Sequence, residues 1–122
     1  MLLNFNSEKP IYLQLAEAIE DNILKGIFEE DTQIISTTEI SVKYKINPAT
    51  AGKGVNILVD DGIIYKKRGV GMFVSPGAKK KILEKRRKSF YEGFILTLLE
   101  EASKLNISKE EIIEMIEGGN KK

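Results

Sequence analysis

Apolar residues recur every four positions from Ile11 through Leu15 and Ile19 to Ile23, while Glu17, Glu20 and Asp21 fall on the other side. This spacing predicts an amphipathic helix with one buried stripe. Pro10 suits its first helical position, where the missing N–H would have been unpaired in any case. Lys25-Gly26 reads as its stop, a cation in the last turn followed by a residue that tolerates positive φ. After a short acidic connection, Gln33-Ile34-Ile35 predicts a brief strand. Ser36 and Glu39 have capping-box spacing, so a short helix runs to near Lys45 with Ile40 and Tyr44 facing inward. Asn47-Pro48 then supplies an N-cap and a first-turn proline for a third helix, in which Ala51, Val55, Leu58 and Val59 form the apolar stripe and Gly62 the stop. Two short helices joined by so tight a turn form a helix-turn-helix.

The period then changes. Ile63-Ile64-Tyr65 and Met72-Phe73-Val74 are rich in strand formers and flank the turn Arg68-Gly69-Val70-Gly71, which together predict a hairpin. Ser75-Pro76-Gly77 marks the expected boundary between two domains, 8–76 and 79–118. A long helical pattern follows from about Lys79 to Leu105. Ser108 and Glu111 repeat the capping-box spacing for a terminal helix reaching Glu117, with Gly118-Gly119 behind it. The expected fold is mainly α with a small β-hairpin: an N-terminal winged helix-turn-helix plus a two-helix C-terminal dimerisation segment.

The 122 residues suit one compact domain with a short appendage, and a composition 42% hydrophobic and 30% charged is that of a globular chain. No stretch approaches the roughly 20 apolar residues of a membrane span, and Met1 to Lys9 lacks the features of a signal peptide, so a cytoplasmic address without membrane contact is expected. With no cysteine and no histidine, thiol nucleophiles, imidazole bases and the usual zinc sites are excluded, so neither an enzyme nor a cofactor is expected. The net charge of +1 hides a segregation: residues 1–35 hold 2 Lys/Arg against 7 Asp/Glu, residues 36–88 hold 13 against 4, and residues 89–122 hold 4 against 7. A basic centre between acidic ends is the footprint expected for a polyanion.

Helix, short strand, helix-turn-helix and hairpin, in that order, make a winged helix. Its third helix fits a major groove about 12 Å wide, and its hairpin reaches the flanking backbone or minor groove of double-stranded DNA. The core stripe of helix three leaves Ala49, Thr50, Lys53 and Asn56 as candidate readers. Thr50 offers a hydroxyl and a methyl group, and Lys53 suits a phosphate or a guanine edge. The alternative for Thr50 is a first-turn residue that satisfies backbone N–H groups. Lys66, Lys67 and Arg68 precede Gly69, where backbone can approach another molecule closely, so the wing is expected against phosphate.

These pieces resemble the GntR regulators, and within them the short YtrA-like subfamily. The resemblance rests on Pro10-Ile11-Tyr12-Leu13-Gln14, Ile46-Asn47-Pro48-Ala49-Thr50, Lys53, Asp61-Gly62-Ile63-Ile64 and Lys67-Arg68-Gly69-Val70-Gly71-Met72-Phe73-Val74, and covers residues 8–75. It implies a homodimeric DNA-binding regulator on a partly palindromic operator, usually a repressor, with two C-terminal helices. The chain departs from the family at Ile35 and Thr38, where proline and arginine are common, and at Met72, where threonine is usual. Thr38 is kept as a candidate DNA contact. Gly52 and Gly54 inside helix three leave two readings open: a helix that orders fully on DNA, or close packing.

In the long helix Tyr91, Ile95, Leu98, Ala102 and Leu105 form a heptad-like seam, widened by Phe90, Phe94 and Leu99. Ile112, Ile113 and Ile116 can cover part of it, and a second copy of the chain is the expected completion, with packing onto helix one as the alternative. Lys79-Lys80-Lys81 and Lys85-Arg86-Arg87-Lys88 oppose the macrodipole of the helix they begin. DNA contact, attraction to acidic helix one and simple solvation remain open for them. A winged-helix protein-interaction module without DNA binding is the rival function.

Overall fold

The structure is a computed structural model that describes residues 2–118. Helix α1 spans Ile11–Leu24, strand β1 Gln33–Ile34, helix α2 Thr37–Tyr44, helix α3 Pro48–Asp60, strands β2 Ile64–Lys67 and β3 Gly71–Val74, and helix α4 Ala78–Phe90. A π-helical turn at Tyr91–Ile95 joins α4 to α5, Leu96–Lys104, and α6 follows at Lys109–Ile116. The mainly α fold with its winged helix-turn-helix is the one expected. Pro10 caps α1 in extended backbone instead of occupying its first helical position. Gly26 and Gly62 adopt the positive φ expected of helix stops. Both capping boxes form: Ser36 with Glu39, and Ser108 with Glu111. Gly119 lies outside the described residues.

The chain divides into two compact units between Leu83 and Glu84. In the first, α1 packs on α3, α3 on α2, and a three-stranded antiparallel sheet in the order β1-β3-β2 closes one side. The strand pairing Gln33↔Phe73, Tyr65↔Phe73 and Ile34↔Met72 sets the two faces of the sheet. Ile34, Ile64, Met72 and Val74 turn into the core, while Gln33, Tyr65 and Lys67 alternate to the outside. Leu15, Ile19 and Ile23 of α1 meet Val55 and Leu58 of α3, all fully or almost fully buried. Each such side chain contributes roughly 1.5–3 kcal/mol.

The turn at Ser75-Pro76-Gly77 does not end this core. Ala78 and Ile82, one helical turn apart on α4, are both fully buried in it. The unit therefore extends to Leu83, beyond the expected limit at residue 76, because the first turn and a half of α4 completes its hydrophobic interior. The Glu30 carboxylate fastens this start, accepting hydrogen bonds from the backbone N–H of Gly77 at 2.9 Å and of Lys79 at 3.4 Å.

In the second unit the long helix expected from Lys79 to Leu105 is broken by the π turn, where the Leu96 N–H donates to the Tyr91 carbonyl. The inserted residue shifts the register, so a seam counted in steps of four and three does not run straight through Tyr91 and Ile95.

A fragment of residues 1–83 should unfold cooperatively on heating, with circular dichroism of a folded mixed-helix protein. A fragment of residues 1–76 should be less stable by at least about 2–5 kcal/mol, the usual cost of losing one large buried aliphatic side chain, and equal denaturation midpoints would place the boundary at residue 76 after all.

Candidate nucleic-acid interface

The turn between α2 and α3 is built by Ser41 and Lys45. Ser41 is buried, and its hydroxyl donates to the Ile46 carbonyl at 2.8 Å while its own carbonyl accepts from the Ile46 N–H at 3.1 Å. Lys45 takes the left-handed conformation at φ 55° that reverses the chain. Asn47 then caps α3, its Oδ1 accepting from the Ala49 N–H at 2.7 Å. The sequence reading missed Ser41, whose only signal is a small hydroxyl residue at a position that must be buried.

On α3, Ala51, Gly54, Val55 and Leu58 face the core. Ala49, Lys53 and Asn56 are exposed on the opposite side, and Thr50 is half-buried at its margin. The two helix glycines have different environments. A Cβ on Gly54 would lie 2.8 Å from the Tyr12 carbonyl oxygen and 3.1 Å from Leu15 Cδ2, so close packing of α3 on α1 requires glycine there. A Cβ on Gly52 would meet nothing within 4 Å. Beside this crossing, Lys53 Nζ sits 4.1 Å above the centre of the Tyr12 ring.

The wing presents Lys66, Lys67, Arg68 and Gly69, all exposed, with Gly69 at φ 76°. Gly71 at φ 145° leaves room for the Gln33 amide, which a Cβ would overlap, and Gln33 Nε2 donates to the Val70 carbonyl at 3.0 Å. Thus β1 braces the tip of the hairpin. Lys67 Nζ lies 4.9 Å over the Phe73 ring, which stacks on Tyr65 with centroids 5.6 Å apart. Thr38 shares one open cleft with Ser36, Thr37 and the wing residues Lys66 to Met72. Met72 itself belongs to the core, its Sδ accepting from Thr37 Oγ1 at 3.7 Å, so this side chain is spent on packing. The sequence reading missed Tyr12, Gln33 and Phe73 here; only the strand register would have put Phe73 next to Lys67.

Charges near α4 have structural duties. Lys81 Nζ donates to the Gly62 carbonyl at 3.0 Å, neutralising the carboxyl end of α3. The two backbone N–H donors hold the Glu30 carboxyl below its ordinary value of 4.5, with the nearby Lys79 charge adding to the effect. Of the seam residues, Tyr91, Phe94, Leu98 and Leu105 are exposed and Ile95 is half-buried. Ala102 is only 6% exposed and drops out of the open face. Of the three isoleucines expected to cover part of it, Ile112 is half-buried, while Ile113 and Ile116 are open at 53% and 74%.

No family model matches the chain. A transcriptional regulator of the GntR family from Bacteroides thetaiotaomicron is 36% identical, with 88% of this chain and 94% of that one covered at a TM-score of 0.73. The chain belongs to the GntR family. The repressor YtrA of Bacillus subtilis is 29% identical over 121 residues, 94% of this chain and 93% of that protein. Two other matches, the regulator YurK and the repressor NagR of Bacillus subtilis, are longer, and this chain spans about a third of their length. The DNA-binding domain of AraR, solved with operator ORX1, is 28% identical over 62% of this chain and 93% of that one, with a TM-score of 0.55. Against the common GntR pattern, this member carries Ile35 and Thr38, both exposed, at the entrance to α2. Among the described residues no helix is long and apolar enough to cross a membrane.

The contrast between the two glycines of α3 is testable by thermal or urea denaturation. Gly52→Ala should stabilise the protein by roughly 0.5–1 kcal/mol through helix propensity. Gly54→Ala should destabilise it by about 1–3 kcal/mol, as overpacking does.

Proposed function

We propose that the chain is a sequence-specific DNA-binding repressor that acts as a homodimer on a partly palindromic operator, in the cytoplasm and without catalysis. The observation that carries this is the outer side of α3, where Ala49, Lys53 and Asn56 stand open with Thr50 at their margin, on a helix whose other side is sealed into the core. The N-terminal half of α3 enters the major groove, while Lys67 and Arg68 bring the wing onto phosphate. Family membership supports the reading, as do the repressor named among its relatives and the operator-bound AraR neighbour. The second unit supports the dimer: Phe94 and Leu105 are 66% and 68% exposed in the single chain, an apolar opening that a twofold-related copy would close.

Enrichment of duplexes from a randomised pool, followed by gel shift, tests the reading, and a chain that retains no duplex would be an interaction module instead. Thr50→Ala should cost about 1–3 kcal/mol on the enriched duplex and leave binding to the random pool nearly unchanged. Lys67→Ala should weaken both alike and make the salt slope shallower by roughly one unit for every phosphate no longer neutralised. Parallel losses from both substitutions would remove α3 as the sequence reader. Leu98→Asp should convert dimers to monomers by light scattering at micromolar concentration, and a dimeric mutant would put the interface elsewhere.

A further inference from the structure

We propose that Tyr12 is a positioning residue for Lys53, an aromatic rest on α1 that holds the reading cation of α3 in place while leaving its charge available to DNA. The idea rests on the DNA-reading role of α3 proposed above and adds to it a residue outside both the recognition helix and the wing.

Lys53 is exposed on the open side of α3, where a four-carbon stem would otherwise sample many rotamers and lose that freedom on binding. Its Nζ instead lies 4.1 Å from the centre of the Tyr12 ring, well within the range of a cation–π contact. The chemistry of the partner matters. A carboxylate at this place would hold the ammonium equally well but cancel its charge, and DNA would have to compete for it. A ring attracts the cation through its quadrupole, carries no net charge, and covers one side of the ammonium, so N–H donors on the other side stay free for a phosphate oxygen or a guanine edge. Ordering Lys53 before binding removes part of the entropic cost of the contact.

The backbone makes this arrangement possible. Gly54 follows Lys53 directly, and its lack of a side chain lets the Tyr12 carbonyl approach α3 to a place where a Cβ would be 2.8 Å away. That crossing carries the Tyr12 ring to the flank of α3, beneath the residue before the glycine. The same device recurs on the wing, where Lys67 Nζ lies 4.9 Å over Phe73 and the ring is itself braced by Tyr65. Two candidate DNA-contacting lysines thus lie over neutral rings.

The test combines free-protein NMR with binding to two probes, a duplex enriched from a randomised pool by the unmodified chain and the random pool itself. In the free protein the ε-methylene protons of Lys53 should be shifted upfield by the ring current, keep that shift in Tyr12→Phe and lose it in Tyr12→Leu. Tyr12→Leu should weaken binding to the enriched duplex roughly three- to ten-fold, and Tyr12→Phe should restore it. In a Lys53→Met background, Tyr12→Leu should have no further effect, because the residue it positions is already gone. An equal loss from Tyr12→Leu in both backgrounds would make Tyr12 merely structural, and an unshifted Lys53 signal in the unmodified protein would deny the contact; either overturns the proposal. Loss of binding in Lys53→Met without any in Tyr12→Leu overturns it too. If the unmodified chain binds neither probe, the DNA reading of α3 falls and this role with it, whatever the ring-current shift.

Discussion

The close crossing of α3 over α1 at Gly54 is the constraint on which the first unit depends. The buried side of α3 is held from behind, Leu15, Ile19 and Ile23 of α1 packing against Ala51, Gly54, Val55 and Leu58 of α3. Small residues on α3 face large ones on α1, so the helices interdigitate instead of standing apart. The helix-propensity cost of a mid-helix glycine, about 1 kcal/mol, is offset by this contact. Because the buried side of α3 is fixed, its opposite side is fixed as well, and the positions of Ala49, Lys53 and Asn56 follow from the packing behind them.

What could be read from the sequence was local. Helix ends were legible because the chemistry that makes them lies within a few residues: Ser36 with Glu39, Asn47 with Pro48, Gly62, Ser108 with Glu111. The winged helix followed from the order of elements, and the outer side of α3 from its period. What escaped were features that depend on residues far apart. The core limit at Leu83 needs Ala78 and Ile82 to find the sheet and helices, and the turn chemistry of Ser75-Pro76-Gly77 says nothing about that. The cation–π pairs need α1 beside α3 and one particular strand register. The π turn at Tyr91–Ile95 left hardly any mark, because one inserted residue barely disturbs an apolar pattern that is already wide.

The basic centre turns out to be divided among different tasks. Lys53 and the wing cations stand open on one set of elements, whereas Lys81 is committed to the Gly62 carbonyl at the end of α3. Lys79, Lys80 and Lys81 crowd the positive end of α4, an unfavourable arrangement that Glu30 offsets by supplying a carboxylate to the same end. The sign of this effect is fixed by the lowered Glu30 pKa: its contribution is present above the ordinary carboxylate range and fades as pH falls through the lowered value. Net charge alone would have assigned every lysine of residues 36–88 to the polyanion; the geometry withdraws Lys81.

The second unit obeys a different constraint. Its two helices are short of mutual burial: Phe90, Tyr91, Phe94, Leu98, Leu105, Ile113 and Ile116 all remain open, and the Phe90 and Phe94 rings touch each other 5.3 Å apart without being covered. Roughly forty residues cannot enclose that many large apolar side chains, since so small a piece exposes most of what it contains. Single exposed apolar residues need no explanation, but nine among the described residues of so small a unit, Leu96 and Met115 included, create a strong drive for association. The twofold partner proposed above would satisfy it with the least new information, because one self-complementary patch serves both chains.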